Sequence, residues 1–211
     1  APSLADSQAN IAERAAEGIL VTTLNGSDPD ENETLSYAMI GGNDAAHFAL
    51  DQNTGAITVA GALDFESVET YVLSVRVTDD DGLTDTATLT INITDINEAP
   101  TVADAQADVA ENAVLGTLIV TIQGSDPDTG DSLSYAITAG NGAGRFSMNQ
   151  ETGVVLLAGA LDFESKDSYG LTVRVTDEDG LFDDASLVIN VSDVDEPPTV
   201  ANPIADVTVD E

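Results

Sequence analysis

The chain has 211 residues, of which 39 are acidic and five are lysine or arginine, so its formal net charge is −34 at pH 7. This charge repels nucleic acid and anionic membrane surfaces, and it makes cations, above all divalent metal ions, the expected partners. Cysteine is absent, which excludes disulfides and thiolate zinc sites, and no apolar run approaches the roughly 20 residues of a membrane-spanning helix.

The hydrophobic pattern of the first 98 residues has a period of two, which predicts β-strands and no long amphipathic helix. Asp80-Asp81-Gly82 supplies a turn between the last two strands, so these form a hairpin. Seven short strands in about 98 residues are typical of an immunoglobulin-like β-sandwich. In chain order, the strands are predicted near Ala9–Ala12, Ile19–Leu24, Leu35–Ile40, His47–Leu50, Ala56–Ala60, Tyr71–Thr78 and Thr86–Thr94.

The whole pattern recurs without a gap. Asp64 and Asp162 lie 98 residues apart, as do Pro100 and Pro198. This period matches a complete small domain and exceeds the roughly 20–50 residues of a solenoid repeat. We therefore expect two tandem domains, residues 1–100 and 101–198, followed in residues 199–211 by the start of a third repeat that is cut short.

Acidic residues collect at the ends of the predicted strands and in the segment that joins the domains. The sequence Ala-Leu-Asp-Phe-Glu-Ser occurs at residues 62–67 and again at residues 160–165. In an extended segment, two acids separated by one residue point to the same side, so the phenylalanine can anchor in the core while both carboxylates face outward. Calcium takes six to eight oxygen ligands of this kind. The pattern therefore predicts that the two acids share a cation.

Four motifs occur in the same order in both repeats. In the first repeat they read DPD, LDFE, VRVTDDDG and DINEAP, and they follow Glu13. Together with the domain length, they resemble the cadherin repeat. The resemblance implies tandem seven-stranded Greek-key sandwiches of the cadherin type that bind Ca²⁺ between successive domains. The low content of basic residues, the absence of cysteine and the richness in Ala, Thr and Asp resemble the cadherin-like modules of large bacterial surface or secreted proteins.

The resemblance also implies which residues bind calcium. The junction of the two repeats would combine acids of the first repeat, the connector and acids of the second repeat, with a backbone carbonyl near Gly130 or Asp131 as an addition. These residues are Glu13, Asp64, Glu66, Asp95, Asn97, Glu98, Asp126, Asp128 and Asp177. A half-site towards a third repeat would contain Glu111, Asp162, Glu164, Asp193, Asp195 and Glu196. A half-site towards a preceding repeat would contain Asp28, Asp30 and Asp79.

The predicted function is that of a calcium-binding module of an extracellular or cell-surface adhesin, stiffened by Ca²⁺ at the interdomain linker. Its partners would be calcium and either another copy, through homophilic contact, or a cell-surface polysaccharide. No nucleic acid is expected as a partner, and no membrane insertion is expected in this segment. A carbohydrate-binding module and a passive spacer of a large extracellular enzyme are the alternatives.

Competing interpretations of the acids are weaker when all the motifs are taken together. Each DPD or Asp-Gly pair taken singly is typical of a turn, and Glu33 is expected to be solvated charge. The EF-hand spacing, with a glutamate six residues after the glycine, is not met.

His47 is the single histidine, and Arg145 occupies its position in the second repeat. No catalytic set recurs, and we expect the segment not to be an enzyme.

Overall fold

The computed structural model describes residues 1–30 and 33–198, and its contacts divide the chain into two compact units between Asn97 and Glu98. The segment predicted to begin a third repeat, residues 199–211, lies outside the described residues. All regular elements in the described part of the chain are β-strands, and no helix with the length and apolarity to cross a membrane occurs there. The prediction of an all-β fold is confirmed.

The first unit is a sandwich of two sheets. Its strands are β1 (Ser7–Ala12), β2 (Leu20–Thr23), β3 (Ser36–Gly41), β4 (Phe48–Leu50), β5 (Ala56–Val59), β6 (Thr70–Thr78) and β7 (Thr84–Thr94). One sheet has the order β1-β7-β6-β3 and the other has the order β2-β5-β4. Strands β6 and β7 form an antiparallel hairpin, whereas β1 runs parallel to β7. This arrangement brings the end of β1 beside the end of β7, where the connector to the second unit begins.

The two sheets of the first unit enclose one hydrophobic core. Ile57 of β5 contributes from the smaller sheet, and Leu73 of β6 and Leu89 of β7 contribute from the larger one; all three are fully buried. Along β6 and β7 buried apolar residues alternate with exposed polar ones, as the period of two predicts. Complete burial of one such side chain stabilises the folded state by roughly 1.5–3 kcal/mol.

The second unit repeats this architecture and adds one short ribbon. Its strands are β8 (Thr101–Val102), β9 (Ala105–Ala110), β10 (Leu118–Thr121), β11 (Gly124–Ser125), β12 (Ser134–Ala139), β13 (Phe146–Met148), β14 (Val154–Leu157), β15 (Ser168–Thr176) and β16 (Phe182–Ser192). The sheets have the orders β9-β16-β15-β12 and β10-β14-β13, and β8 pairs with β11. In the first unit, a single bridge between Ser3 and Ser27 takes the place of the β8–β11 ribbon.

The seven strands predicted for the first unit are confirmed, with shifted boundaries. Strand β1 begins at Ser7 rather than near Ala9, and β7 begins at Thr84 rather than at Thr86. The parallel pairing of β1 with β7 was not predicted, because the alternation of residues along a strand does not specify the direction of its neighbour.

Candidate metal centres

Glu13 is a buried carboxylate at the end of β1. Glu13 as a whole is only 2% exposed to solvent. One carboxylate oxygen accepts a hydrogen bond of 3.1 Å from the Phe65 amide, and the other accepts one of 2.8 Å from the Ile96 amide. Glu13 therefore ties two distant segments, the loop that carries Asp64 and Glu66 and the connector, to the end of the first strand.

The second unit builds the same feature from its own residues. Glu111 is 8% exposed at the end of β9. Its carboxylate accepts hydrogen bonds of 2.8 Å from the Phe163 amide and 2.7 Å from the Val194 amide. Burying a charged carboxylate is costly unless it is hydrogen-bonded. In both units, the hydrogen bonds from the two loops to the buried glutamate offset this cost and fix the loops to the end of the first strand of the unit.

Further acids gather around each buried glutamate. In the first unit, carboxylate oxygens of Glu13, Glu66 and Asp95 lie within 4.8 Å of one another. The second unit groups four acids within the same distance, Glu111, Glu164, Asp193 and Glu196. Burial raises the pKa of Glu196, and repulsion from Glu111 and Glu164 raises it further. Such a group favours either a bound cation or a proton.

The DPD loop of the second unit forms a separate group. Carboxylate oxygens of Asp126, Asp128 and Asp131 lie within 4.8 Å of one another. Oδ1 of Asp126 accepts a hydrogen bond of 3.0 Å from the Asp128 amide, and Oδ2 of Asp128 accepts one of 2.7 Å from the Glu98 amide. The other oxygens, Oδ2 of Asp126 and Oδ1 of Asp128, are buried and have no hydrogen-bond partner among the described residues.

The Asp131 carboxylate belongs to this group, whereas the sequence predicted only a backbone carbonyl near this position. Burial raises the pKa of Asp131, and repulsion from Asp126, Asp128, Glu178 and Asp177 adds to the shift. Glu33 holds the corresponding position in the first repeat, and it accepts a hydrogen bond of 3.3 Å from the Asp80 amide. Glu33 is therefore not merely solvated charge, as its position in a charge run had suggested. The 98-residue spacing of these two acids was the signal that could have identified them.

Close packing of a glycine positions the DPD loop. The Gly124 amide donates to the Tyr135 hydroxyl at 3.2 Å, and a Cβ atom at Gly124 would lie 2.8 Å from Cγ2 of Val175. The first unit has the same arrangement, because the Gly26 amide donates to the Tyr37 hydroxyl at 3.1 Å. Only a residue without a side chain allows the segment to approach β15 so closely.

The DPD loop of the first unit is less complete. Oδ1 of Asp28 accepts a hydrogen bond of 2.9 Å from the Asp30 amide. The side chain of Asp28 is 3% exposed and that of Asp30 is 69% exposed. No third acid of the described residues forms a group with them within 4.8 Å.

Asp79 and Asp177 follow the strands β6 and β15, and both are buried. Each organises the hairpin turn that it begins: Oδ1 of Asp79 accepts from the Leu83 amide at 2.8 Å, and Oδ1 of Asp177 accepts from the Leu181 amide at the same distance. The repulsion of Asp177 on Asp131 indicates that Asp177 also lies near the Asp126 group. Asp177 therefore both stabilises its turn and interacts with an acid of the Asp126 group.

Three predicted ligands have no oxygen in the acidic groups described above. The Asp64 carboxylate accepts hydrogen bonds from the hydroxyl and the amide of Ser67, and the Ser67 hydroxyl holds the pKa of Asp64 below its usual value. Asp162 makes the same contacts with Ser165. Among the described residues, neither aspartate is a member of the groups whose carboxylate oxygens lie within 4.8 Å of one another, and neither is the exposed Asp195. Asn97, in the connector, is half-buried.

The chemistry of these groups suits a hard cation. The side-chain atoms that these groups offer to a metal are all carboxylate oxygens, and none of the groups contains histidine or cysteine. Oxygen-only sets select calcium, magnesium or manganese over zinc and copper. Irregular loops such as these supply a variable number of oxygens, which calcium tolerates better than magnesium does, since magnesium demands near-octahedral geometry. In the DPD loop, the two buried oxygens that have no hydrogen-bond partner among the described residues would be compensated by a bound cation.

Comparison with known proteins identifies both units. The model of the cadherin domain matches residues 7–94 and residues 105–192. The chain is 36% identical over 212 residues to the Drosophila melanogaster Protocadherin-like wing polarity protein stan, covering 93% of the chain and 6% of that protein. It is 36% identical over 204 residues to the Homo sapiens Protocadherin Fat 4, covering 91% of the chain and 4% of that protein. The chain thus spans a small fraction of the length of these relatives.

Solved structures of cadherin extracellular domains have the same fold as this chain. The mouse Cadherin-23 EC22-24 structure superposes with a TM-score of 0.76 at 25% sequence identity, covering 92% of this chain and 67% of that chain. The PcdhgB3 EC1-4 structure superposes with a TM-score of 0.77 at 28% identity, covering 92% of this chain and 50% of that chain.

Proposed function

Because the chain belongs to the cadherin domain family, we propose that its tandem domains bind Ca²⁺ at their acidic ends and that the bound ions stiffen the connector between them. The two domains are extracellular or at the cell surface, as in their cadherin relatives. The proposed role is that of an adhesion module, acting through homophilic contact. We expect no catalytic activity, and the matched relatives are cadherins rather than enzymes.

The observation that carries the proposal is the pair of buried oxygens, Oδ2 of Asp126 and Oδ1 of Asp128, without hydrogen-bond partners in the described part of the chain. Leaving a buried acceptor unsatisfied costs about 1–3 kcal/mol, and more for a charged group. Clustering with the Asp131 carboxylate increases that cost through repulsion. A divalent cation would remove both penalties at once.

The residues proposed for the ions at the connector come from both domains. Glu13, Glu66 and Asp95 form one group in the first domain, and Asp126, Asp128 and Asp131 form another in the second domain. From the sequence alone we add Asp64, Asn97, Glu98 and Asp177. Without ions these carboxylates would repel one another and favour bent arrangements of the short connector; ions that join oxygens of both domains would favour one arrangement.

The remaining acids are proposed as parts of further calcium sites. Glu111, Asp162, Glu164, Asp193, Asp195 and Glu196 would serve a following domain, and Asp28, Asp30 and Asp79 would serve a preceding one. The structural support is strongest for the group of four acids that includes Glu111. The relatives named above are animal proteins. The resemblance to bacterial surface modules rests on composition alone and stays a prediction.

Thermal unfolding in calcium, in magnesium and after removal of metal tests the proposal. A ligand at about 100 times its dissociation constant stabilises the folded state by roughly 2.7 kcal/mol per independent site. We expect calcium to raise the melting temperature clearly and magnesium to raise it less. Replacing Asp126 and Asp128 with Asn should reduce the calcium effect, whereas replacing the exposed Glu17 with Gln should not. Identical melting in all three conditions would show that the acids are solvated charge.

A further inference from the structure

A cleft of about 380 Å³ in the second unit brings two basic side chains together, although basic residues are rare in this chain. It is lined by the loop 140–143, by Arg145, by Ser165 and Lys166, and by Tyr169. Arg145 and Lys166 are two of the five basic side chains of the protein. Neither forms an ion pair with any acid in residues 1–30 and 33–198. Two positively charged side chains therefore line one cleft, and neither is neutralised by an ion pair with a described acid.

Both cations are held in place by their surroundings. Nζ of Lys166 lies 4.4 Å from the centroid of the Tyr169 ring, which attracts it through the cation–π interaction. The Arg145 side chain lies against Gly159, where an added Cβ atom would lie 3.0 Å from Cδ of Arg145. The absence of a side chain at position 159 thus makes room for Arg145. Groups restrained in this way lose less conformational entropy when they bind a ligand.

The first unit provides an internal comparison. At the positions 98 residues earlier it has His47 in place of Arg145, Val68 in place of Lys166 and Asp44 in place of Gly142. The cationic cleft is therefore a property of the second unit and not of the repeated fold. The neighbouring acid, Asp162, accepts hydrogen bonds from the hydroxyl of Ser165 at 2.8 Å and from its amide at 3.0 Å, which partly compensates its charge.

We propose that this cleft binds the carboxylate or sulfate group of an acidic sugar. The guanidinium of Arg145 can donate two parallel hydrogen bonds to such a planar or tetrahedral anion, and Lys166 adds a second positive charge. The volume suits a ligand of about one sugar residue, at the lower end of the range for small-molecule sites.

A sugar is favoured over an acidic protein because of the charge around the cleft. A stable protein interface covers about 800 Å² on each partner, and on a chain of net charge −34 it would place many acids against an acidic partner. A single sugar acid avoids most of that repulsion, since charges more than about 8 Å apart are largely screened at physiological ionic strength.

Calorimetry with three trisaccharides, a galacturonate trimer, a sulfated galactose trimer and a neutral galactose trimer, tests the proposal at one fixed calcium concentration. Arg145→His and Lys166→Val install the residues that the first unit has at the corresponding positions, so both should fold. Arg76→Gln removes a cation of the first unit and serves as the control. We expect one binding site for at least one acidic trimer, and weakening of at least about tenfold in each variant but not in the control.

The acidic trimers separate the two anions, since preference for galacturonate indicates a carboxylate and preference for the sulfated trimer indicates a sulfate. Four results would overturn the proposal: equal binding of the neutral trimer, unchanged affinity in the Arg145→His/Lys166→Val double variant, tighter binding of an oligoglutamate peptide than of either acidic trimer, or no binding of any trimer at millimolar concentration.

Discussion

The Glu13 carboxylate accepts a hydrogen bond of 3.1 Å from the amide of Phe65, a residue 52 positions further along the chain. The phenylalanine between Asp64 and Glu66 is partly buried against the core of the first unit. This one contact, repeated by Glu111 and Phe163, fixes the loop that carries the two acids. The aromatic residue and the buried glutamate therefore position Glu66 for the acidic group.

The first prediction concerns Glu13 as an acceptor of two amides. Glu13→Gln replaces one acceptor oxygen with an NH₂ group that faces an amide N–H, so one buried donor loses its partner. We expect a loss of about 1–3 kcal/mol in the free energy of unfolding of the metal-free protein. Denaturant unfolding measures it, with Glu17→Gln, an exposed acid of the following loop, as the control. Equal stability of the two variants without metal would mean that Glu13 acts only as a metal ligand.

The second prediction concerns pH. Because burial and repulsion raise the pKa values of Glu196 and Asp131 above their usual range, the folded state binds protons more readily than the unfolded state. The metal-free protein should therefore become more stable as pH falls from neutral towards the usual carboxyl range, and less stable as pH rises through the raised pKa values. With calcium the sign should reverse, because protons compete with the ion for the same carboxylates.

Melting temperatures across this pH range, with and without calcium, check the reversal. The paired change Glu196→Gln and Asp131→Asn should flatten the metal-free pH dependence, whereas Glu151→Gln, at an exposed position, should leave it unchanged. Parallel pH profiles with and without calcium would contradict the assignment of these groups to metal binding.

The third prediction concerns Gly124. In Gly124→Ala, the new Cβ atom would lie 2.8 Å from Val175, so the segment that leads to Asp126 and Asp128 must move. We expect a loss of roughly 1–3 kcal/mol in stability, typical of overpacking, together with weaker calcium binding. Gly170→Ala adds its Cβ atom to open space in the same unit and is the control. Calcium titration of both variants provides the measurement. Unchanged affinity in Gly124→Ala would show that the position of this loop does not govern the ion.

The fourth prediction concerns the connector. Asp128→Ala removes a carboxylate that belongs to the acidic group of the second unit, and it removes no core side chain. We expect small-angle scattering in saturating calcium to show a more flexible, less extended particle, with both units still folded. Asp30→Ala, 98 residues earlier, is the matched control and should leave the scattering unchanged. If both variants scatter like the parent protein, calcium does not stiffen the connector through Asp128.

The sequence by itself determined the seven main strands of each unit and the repeating unit, but not the short β8–β11 ribbon of the second unit. Both follow from neighbours along the chain: the alternation in Thr70–Thr78 reports which side chains face the core, and the 98-residue spacing of equivalent acids reports the repeat. The acids Glu13, Glu66 and Asp95 stood out at strand ends and in the connector, whereas their predicted role as calcium ligands came from the resemblance to the cadherin repeat.

Only the tertiary structure decided which oxygens meet. The parallel pairing of β1 with β7 places Glu13 beside the connector, 83 residues away at Ile96. The DPD loop gains the Asp131 carboxylate, while Asp64 turns to the hydroxyl of Ser67. These outcomes depend on the packing of segments that are distant in the chain and on competition among hydrogen-bond donors a few ångströms apart. Residue types and local periodicity carry neither kind of information.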